Sequence, residues 1–143
     1  MTPLTYFALL EPHGAEGFLV RFPDVPEAIT QGLSLEEAGL QAEDALAVAL
    51  EEYLVRGWGF PTRSEAAAAD PAIAVEIPVR PVLAARWLLR REMGRAGLSQ
   101  VALGKLMARD EKTIRRIVTG QGASLGLILK ALAAVGVRPS LAV

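Results

Sequence analysis

Short alternating runs of apolar and polar residues fill the first third of the chain, and helical periodicity takes over afterwards. Thr5 to Leu10 is a short aromatic and apolar run and reads as a strand. The turn residues Pro12-His13-Gly14-Ala15-Glu16-Gly17 follow it. Phe18, Val20 and Phe22 then alternate with Leu19 and Arg21, a period-two pattern that predicts a second strand and a hairpin. Pro23 and Pro26 end that strand, because proline donates no ladder hydrogen bond. Ala28 to Gly32 predicts a short third strand. Ser34-Leu35-Glu36-Glu37 has the spacing of a capping box. Behind it, Leu35, Ala38, Ala42, Ala45 or Leu46, Ala49 and Tyr53 form one apolar stripe of a long helix that Gly57 stops. Trp58 to Ala72 reads as a connection, and Ile73 to Val79 as a fourth strand. The pattern predicts a three-stranded antiparallel sheet covered by the helix, with Phe18, Val20 and Phe22 buried between them.

From Val82 the pattern is helical throughout. Val82 to Ala96 carries Leu83, Trp87, Leu88 and Met93 among arginines, and Gly97 ends it. Ser99 can cap a helix to Met107, Ala108-Arg109 makes a tight turn, and Asp110 can cap the next helix to Val118. A loop at Thr119 to Gly122 leads to a last helix from Ser124 through Val135, with the stripe Leu125, Ile128, Leu129, Leu132 and Val135 and a stop at Gly136. The fold class is therefore α+β: a small antiparallel sheet with one long helix over residues 1–79, then an all-α domain over residues 80–143.

Charge sharpens this division. The net charge is only -1, but up to Val79 there are 3 bases against 13 acids, and from Arg80 onward 12 bases against 3 acids. The poles are thus -10 and +9. A basic domain can neutralise phosphates, whereas an acidic one repels nucleic acid and attracts basic protein. With no cysteine and the single histidine His13, disulfides, thiol chemistry and a Cys- or His-built metal site are not expected, and no cofactor is implied. No apolar run reaches bilayer length and no secretion signal opens the chain, so a soluble cytoplasmic protein is expected.

Two short helices joined by a tight turn make a helix-turn-helix, whose second helix enters the major groove. Leu98, Leu103 and Leu106 are expected to pack inward, with Ile114 and Ile117 meeting them from the next helix, and Gly104 allows the close approach. Glu111, Lys112, Thr113, Arg115 and Arg116 are left outside. Lysine, arginine and threonine there can reach phosphates or base edges. Ser99 and Gln100 stand at a helix start, where anions bind. The expected DNA-binding set is Ser99, Gln100, Arg109, Lys112, Thr113, Arg115 and Arg116. His13 reads as an exposed loop residue, Asp24 as a turn former, and Trp58 and Trp87 as packing residues. Converging carboxylates for a metal-dependent nuclease are not evident, so no catalytic residue is assigned.

Gly97-Leu98-Ser99-Gln100 through Leu103, with Thr113-Ile114-Arg115-Arg116-Ile117, resembles the Cro/repressor (XRE-like) helix-turn-helix. Where that family places glycine and an aliphatic residue in the turn, this chain has Ala108 and Arg109, which makes Arg109 a phosphate contact rather than a core plug. The first half resembles the HicB antitoxins through Tyr6 to Glu11, Gly17-Phe18, Phe22-Pro23-Asp24-Val25-Pro26, Ile29-Thr30-Gln31-Gly32 and Ser34-Leu35-Glu36-Glu37-Ala38. Glu27-Ala28 replaces the family's usual Gly-Cys. That resemblance implies a partial RNase H-like fold that covers a small RNA-cleaving toxin, HicA, and a C-terminal domain that represses the antitoxin's own operon. The implied partners are a HicA-like toxin and operator DNA, with a homodimer or higher homo-oligomer reading paired half-sites. Two routes to that dimer stay open: the sheet edge of the first unit, or the last helix with the tail Val137 to Val143 as an added strand. The toxin-contacting residues are not readable. The alternative is a ligand-sensing transcriptional regulator with no toxin partner.

Overall fold

A computed structural model describes residues 4–64, 72–119 and 122–137. It is an α+β structure of two compact units, one ending at Arg80 and the other beginning at Pro81. The glycine and glutamine of the Thr119–Gly122 loop, residues 65–71 of the connection that starts at Trp58, and the tail beyond Val137 with its expected dimerising strand lie outside the described residues.

In the first unit, β1 (Thr5–Pro12), β2 (Phe18–Arg21), β3 (Ile29–Gly32) and β4 (Ile73–Pro78) form an antiparallel sheet in the order β3-β2-β1-β4. The sheet thus has four strands rather than three. β4 pairs along the free edge of β1, setting Tyr6 opposite Ile77 and Leu10 opposite Ile73. β1 and β2 pair with Leu10 opposite Val20. Tyr6, Ala8, Leu10 and Val20 are almost wholly buried. Phe22, just past β2, is buried as well, whereas Phe18 is only half-buried.

Helix α1 (Leu35–Val55) covers this sheet. Ser34 Oγ accepts from the Glu37 amide at 3.1 Å, so the structure forms that half of the capping box. The buried stripe is Ala38, Ala42, Leu46, Ala49, Leu50 and Leu54. Leu46 is its member where Ala45 was the alternative by spacing; Leu54 takes the place expected of Tyr53, which is only half-buried, and Leu35 is 50% exposed. Small residues lead the stripe because the backbones nearly touch. A Cβ on Gly32 would fall on the Ala38 backbone, 2.6 Å from its Cα, and one on Gly17 would run into the Gly32 carbonyl, 2.7 Å from Leu33 Cα. Only glycine fits at either point.

Polar anchors tie the chain after α1 back to the sheet. The Tyr6 hydroxyl donates to the Pro61 carbonyl at 2.6 Å. Arg63 donates to Thr5 Oγ1 at 2.7 Å and to Glu76 at 2.8 Å, and its guanidinium lies 4.6 Å from the Phe7 ring centroid. Asp24 accepts from both the amide and the hydroxyl of Ser64, at 2.9 and 3.1 Å. Its carboxylate therefore has a structural task beyond forming the turn.

The second unit contains α2 (Pro81–Ala96), α3 (Gln100–Met107), α4 (Glu111–Thr119) and α5 (Leu125–Ala134). Pro81 opens α2 where its missing N–H costs nothing. Ser99 and Ser124 cap α3 and α5 through bonds from Ala102 and Leu127. The core joins Leu89 and Met93 of α2, Leu103 of α3, Ile114, Ile117 and Val118 of α4, and Ile128, Ala131 and Leu132 of α5. Leu106, expected inside, is 59% exposed. Met107 packs in its place, one residue (about 100°) further round the helix. Leu129 is likewise 37% exposed, outside the stripe assigned to it.

Candidate nucleic-acid interface

The turn between α3 and α4 is tight. Ala108 sits at φ 54°, ψ 46°, the left-handed conformation that glycine adopts without penalty. The Arg109 amide reaches back to the Gly104 carbonyl at 3.0 Å, the long bond of a Schellman turn. A Cβ on Gly104 would lie 3.2 Å from the Arg109 oxygen and 3.4 Å from Ile114 Cγ1, so Gly104 lets α4 come close. Asp110 then caps α4, accepting from the Thr113 amide at 2.8 Å. Hydrogen bonds from the Thr113 side chain and amide hold the Asp110 carboxyl below its ordinary range, with the Lys112 and Arg116 charges acting in the same direction.

With Ile114 and Ile117 inside, Lys112, Arg115 and Arg116 are exposed on α4. At about 100° per residue they span roughly 100° of its surface, the width of one contact face. Glu111 holds Arg115 at 2.9 Å, an i,i+4 pair. No ion pair among the described residues holds Lys112 or Arg116. Arg109 is exposed in the turn, clear of the core. Gln100 is exposed at the first turn of α3, while the Ser99 oxygen is occupied as that helix's cap. Thr113 is half-buried and turned toward Asp110, so it is the least available of the seven expected residues.

Charge counting alone misplaces several arginines. Arg86 is 2% exposed and donates to the Thr119 carbonyl at the end of α4. A buried cation thus meets the negative end of that helix and fixes it against α2. An arginine within a helical apolar pattern was the available sign of this role. Arg91 lies 4.8 Å from the Trp87 ring centroid, and both Arg91 and Arg95 reach Glu92 at 3.3 Å. Arg80, counted above with the basic pole, instead pairs with Glu43 and Asp44 on α1. Assigning it to the first unit makes the two net charges -9 and +8.

Among the described residues no group of three or more His, Asp or Glu could hold a metal ion, and no helix is long and apolar enough to cross a membrane.

Comparison with known proteins agrees along most of the chain. The family model described as the HicB-like antitoxin of bacterial toxin-antitoxin systems matches residues 5–85. Antitoxin HicB 2 of Photorhabdus laumondii is 35% identical over 125 residues, covering 87% of this chain and 86% of its own length. Antitoxin HicB of Escherichia coli K12 is 30% identical over 114 residues, covering 80% of each chain. Such antitoxins are regulatory proteins, not enzymes, and this chain belongs to the HicB-like antitoxin family.

Proposed function

We propose that this antitoxin neutralises a HicA-like mRNA-cleaving toxin by direct binding through its acidic unit. We propose equally that it represses its own operon through α3 and α4, acting as a helix-turn-helix on operator DNA. The observation that carries the DNA reading is the outer face of α4. Lys112, Arg115 and Arg116 stand there over the buried Ile114 and Ile117, beyond a tight turn that carries the exposed Arg109. In such an arrangement the second helix lies in the major groove, and phosphate contacts from the turn and the preceding helix set its register. One helix reads one half-site, so the binding species is a homodimer or a higher homo-oligomer.

The toxin reading rests on family membership and on the acidic first unit, which repels RNA and attracts a basic ribonuclease. Inhibition is then steric and electrostatic, with no chemistry on either chain.

Operator binding is measured by fluorescence anisotropy with the upstream DNA of the operon across a salt series. Arg116→Ala is expected to weaken binding and to shallow the log-log salt slope by about 0.9 for each phosphate that the variant no longer neutralises. Unchanged affinity and slope in both Arg115→Ala and Arg116→Ala would refute the placement of α4 in the groove. Coexpression with the small protein encoded beside the antitoxin tests the other half. Growth arrest that the antitoxin does not relieve removes the toxin claim.

A further inference from the structure

Acids are scarce in the helical unit, and two of its three are engaged within it. From Pro81 onward the carboxylates are Glu92, Asp110 and Glu111. Glu92 takes Arg91 and Arg95, and Asp110 caps α4. Glu111 has neither task, and its side chain is 79% exposed. Its Oε1 accepts from Arg115 Nη2 at 2.9 Å, and among the described residues nothing donates to Oε2.

Glu111 is also the first residue of α4. When a recognition helix lies in the major groove, the residues at that end are the ones that contact base edges. Arg115 lies one turn further on and about 40° round the helix. Helical side chains lean toward the N-terminus, and the pair draws the Arg115 guanidinium back over the first turn. Donors and an acceptor thus stand side by side at the leading end of α4. The arginine is oriented before any DNA arrives, which lowers the ordering cost of binding.

Such a pair discriminates between base pairs. A G·C pair shows the major groove two acceptors, guanine N7 and O6, and beside them one donor, the cytosine amino group. Arginine gives two donors to the guanine, and a carboxylate accepts from the cytosine. An A·T pair runs acceptor, donor, acceptor, which sets the guanidinium against an amino group or the carboxylate against a carbonyl. Phosphates repel a carboxylate, so sequence-independent binding gains nothing from Glu111. We propose that Glu111 and Arg115 together select a G·C pair in each operator half-site. Arg115 donates to the guanine, and Glu111 accepts from the cytosine at Oε2 while holding Arg115 through Oε1. This inference rests on the operator reading above and adds a carboxylate to its basic contact set.

The test is fluorescence anisotropy of the full-length antitoxin on the upstream DNA of the operon. Each G·C pair of the bound region is replaced by A·T in turn, and a scrambled duplex reports sequence-independent binding. The parent is expected to lose about tenfold or more at one pair of each half-site. Glu111→Ala and Arg115→Ala should each cut that penalty, at the same pair, to about threefold or less. Glu111→Ala should bind the scrambled duplex at least as tightly as the parent, because it removes a negative charge. Arg116→Ala should bind every duplex more weakly and keep the penalty. A Glu111→Ala variant that keeps the full penalty overturns the paired readout and leaves the operator reading standing. So does one that loses affinity for operator and scrambled duplex alike, or a parent with no such G·C pair. A parent that binds the upstream DNA no better than the scrambled duplex overturns both.

Discussion

The two units use their charged side chains in opposite ways. In the sheet unit, Arg63 ties the segment around Pro61 to Ser64 onto β1 and β4, and Asp24 ties it onto the turn after β2. The carboxylates of α1 lie at the surface, where Glu43 and Asp44 engage Arg80 and Glu52 engages Arg56. Among the described residues of the helical unit most arginines are exposed, and the buried one, Arg86, holds the end of α4. A pole of given charge is therefore not a surface of that charge. What matters is which cations are already committed inside the unit, and on α4 they are mostly uncommitted.

The sharpest way to break the comparison is at the glycines of the sheet unit. Gly32→Ala places a carbon against the Ala38 backbone, where no rotamer can relieve it, and is expected to cost about 3 kcal/mol or more. Thermal unfolding followed by circular dichroism should show the sheet unit destabilised and operator affinity retained. Next comes Arg86→Met, which removes a charge-assisted bond worth about 1.5–3 kcal/mol. It should lower the melting temperature of the helical unit and weaken operator binding while leaving the salt slope unchanged. Arg116→Ala should do the reverse: stability within about 0.5 kcal/mol of the parent, and a shallower slope. That pair of measurements separates an arginine that positions α4 from one that meets phosphate.

A smaller gain is expected from Ala108→Gly. Left-handed backbone costs a non-glycine residue about 1–2 kcal/mol, and glycine's greater freedom when unfolded returns part of that. A net rise of roughly 0.5–1 kcal/mol by urea titration is the expected result. The smallest effect is acid sensitivity at Asp110. Its carboxyl is depressed in the folded chain, so its cap is fully present above the ordinary carboxylate range. The contribution is lost as pH falls through the lowered value, and Asp110→Asn, which keeps the cap without the charge, should flatten that acid limb.

Local chemistry made much of this legible beforehand. Ser34, Ser99, Asp110 and Ser124 each accept the cap bond that their position implied. β1 forms from its continuous apolar run, Val20 and Phe22 follow the alternation read at β2, and Ile114 and Ile117 follow their three-residue step. Long-range features were not legible. The pairing of β4 with β1 joins residues some seventy positions apart, and no local period encodes which edge a strand will choose. Errors of helical phase account for Leu106 and for Leu54 standing where Tyr53 was expected, since one residue turns a side chain by about 100° and apolar neighbours satisfy either phase. Arg86 was counted as surface charge because composition carries no information about depth. Trp58, read as a packing residue, is 47% exposed for the same reason, although its ring does meet Tyr53 edge-on at 5.3 Å.

The close seating of α1 on β3 has a kinetic consequence. Where Gly32 meets Ala38 backbone to backbone, no layer of side chains lets the helix slide or roll over the sheet. The outer face of α1 is thus presented as a fixed template, and a partner that meets it need not wait for a rearrangement. For such a partner, association is expected to proceed at the pace of steered collision, fast in dilute salt and slower as ions accumulate.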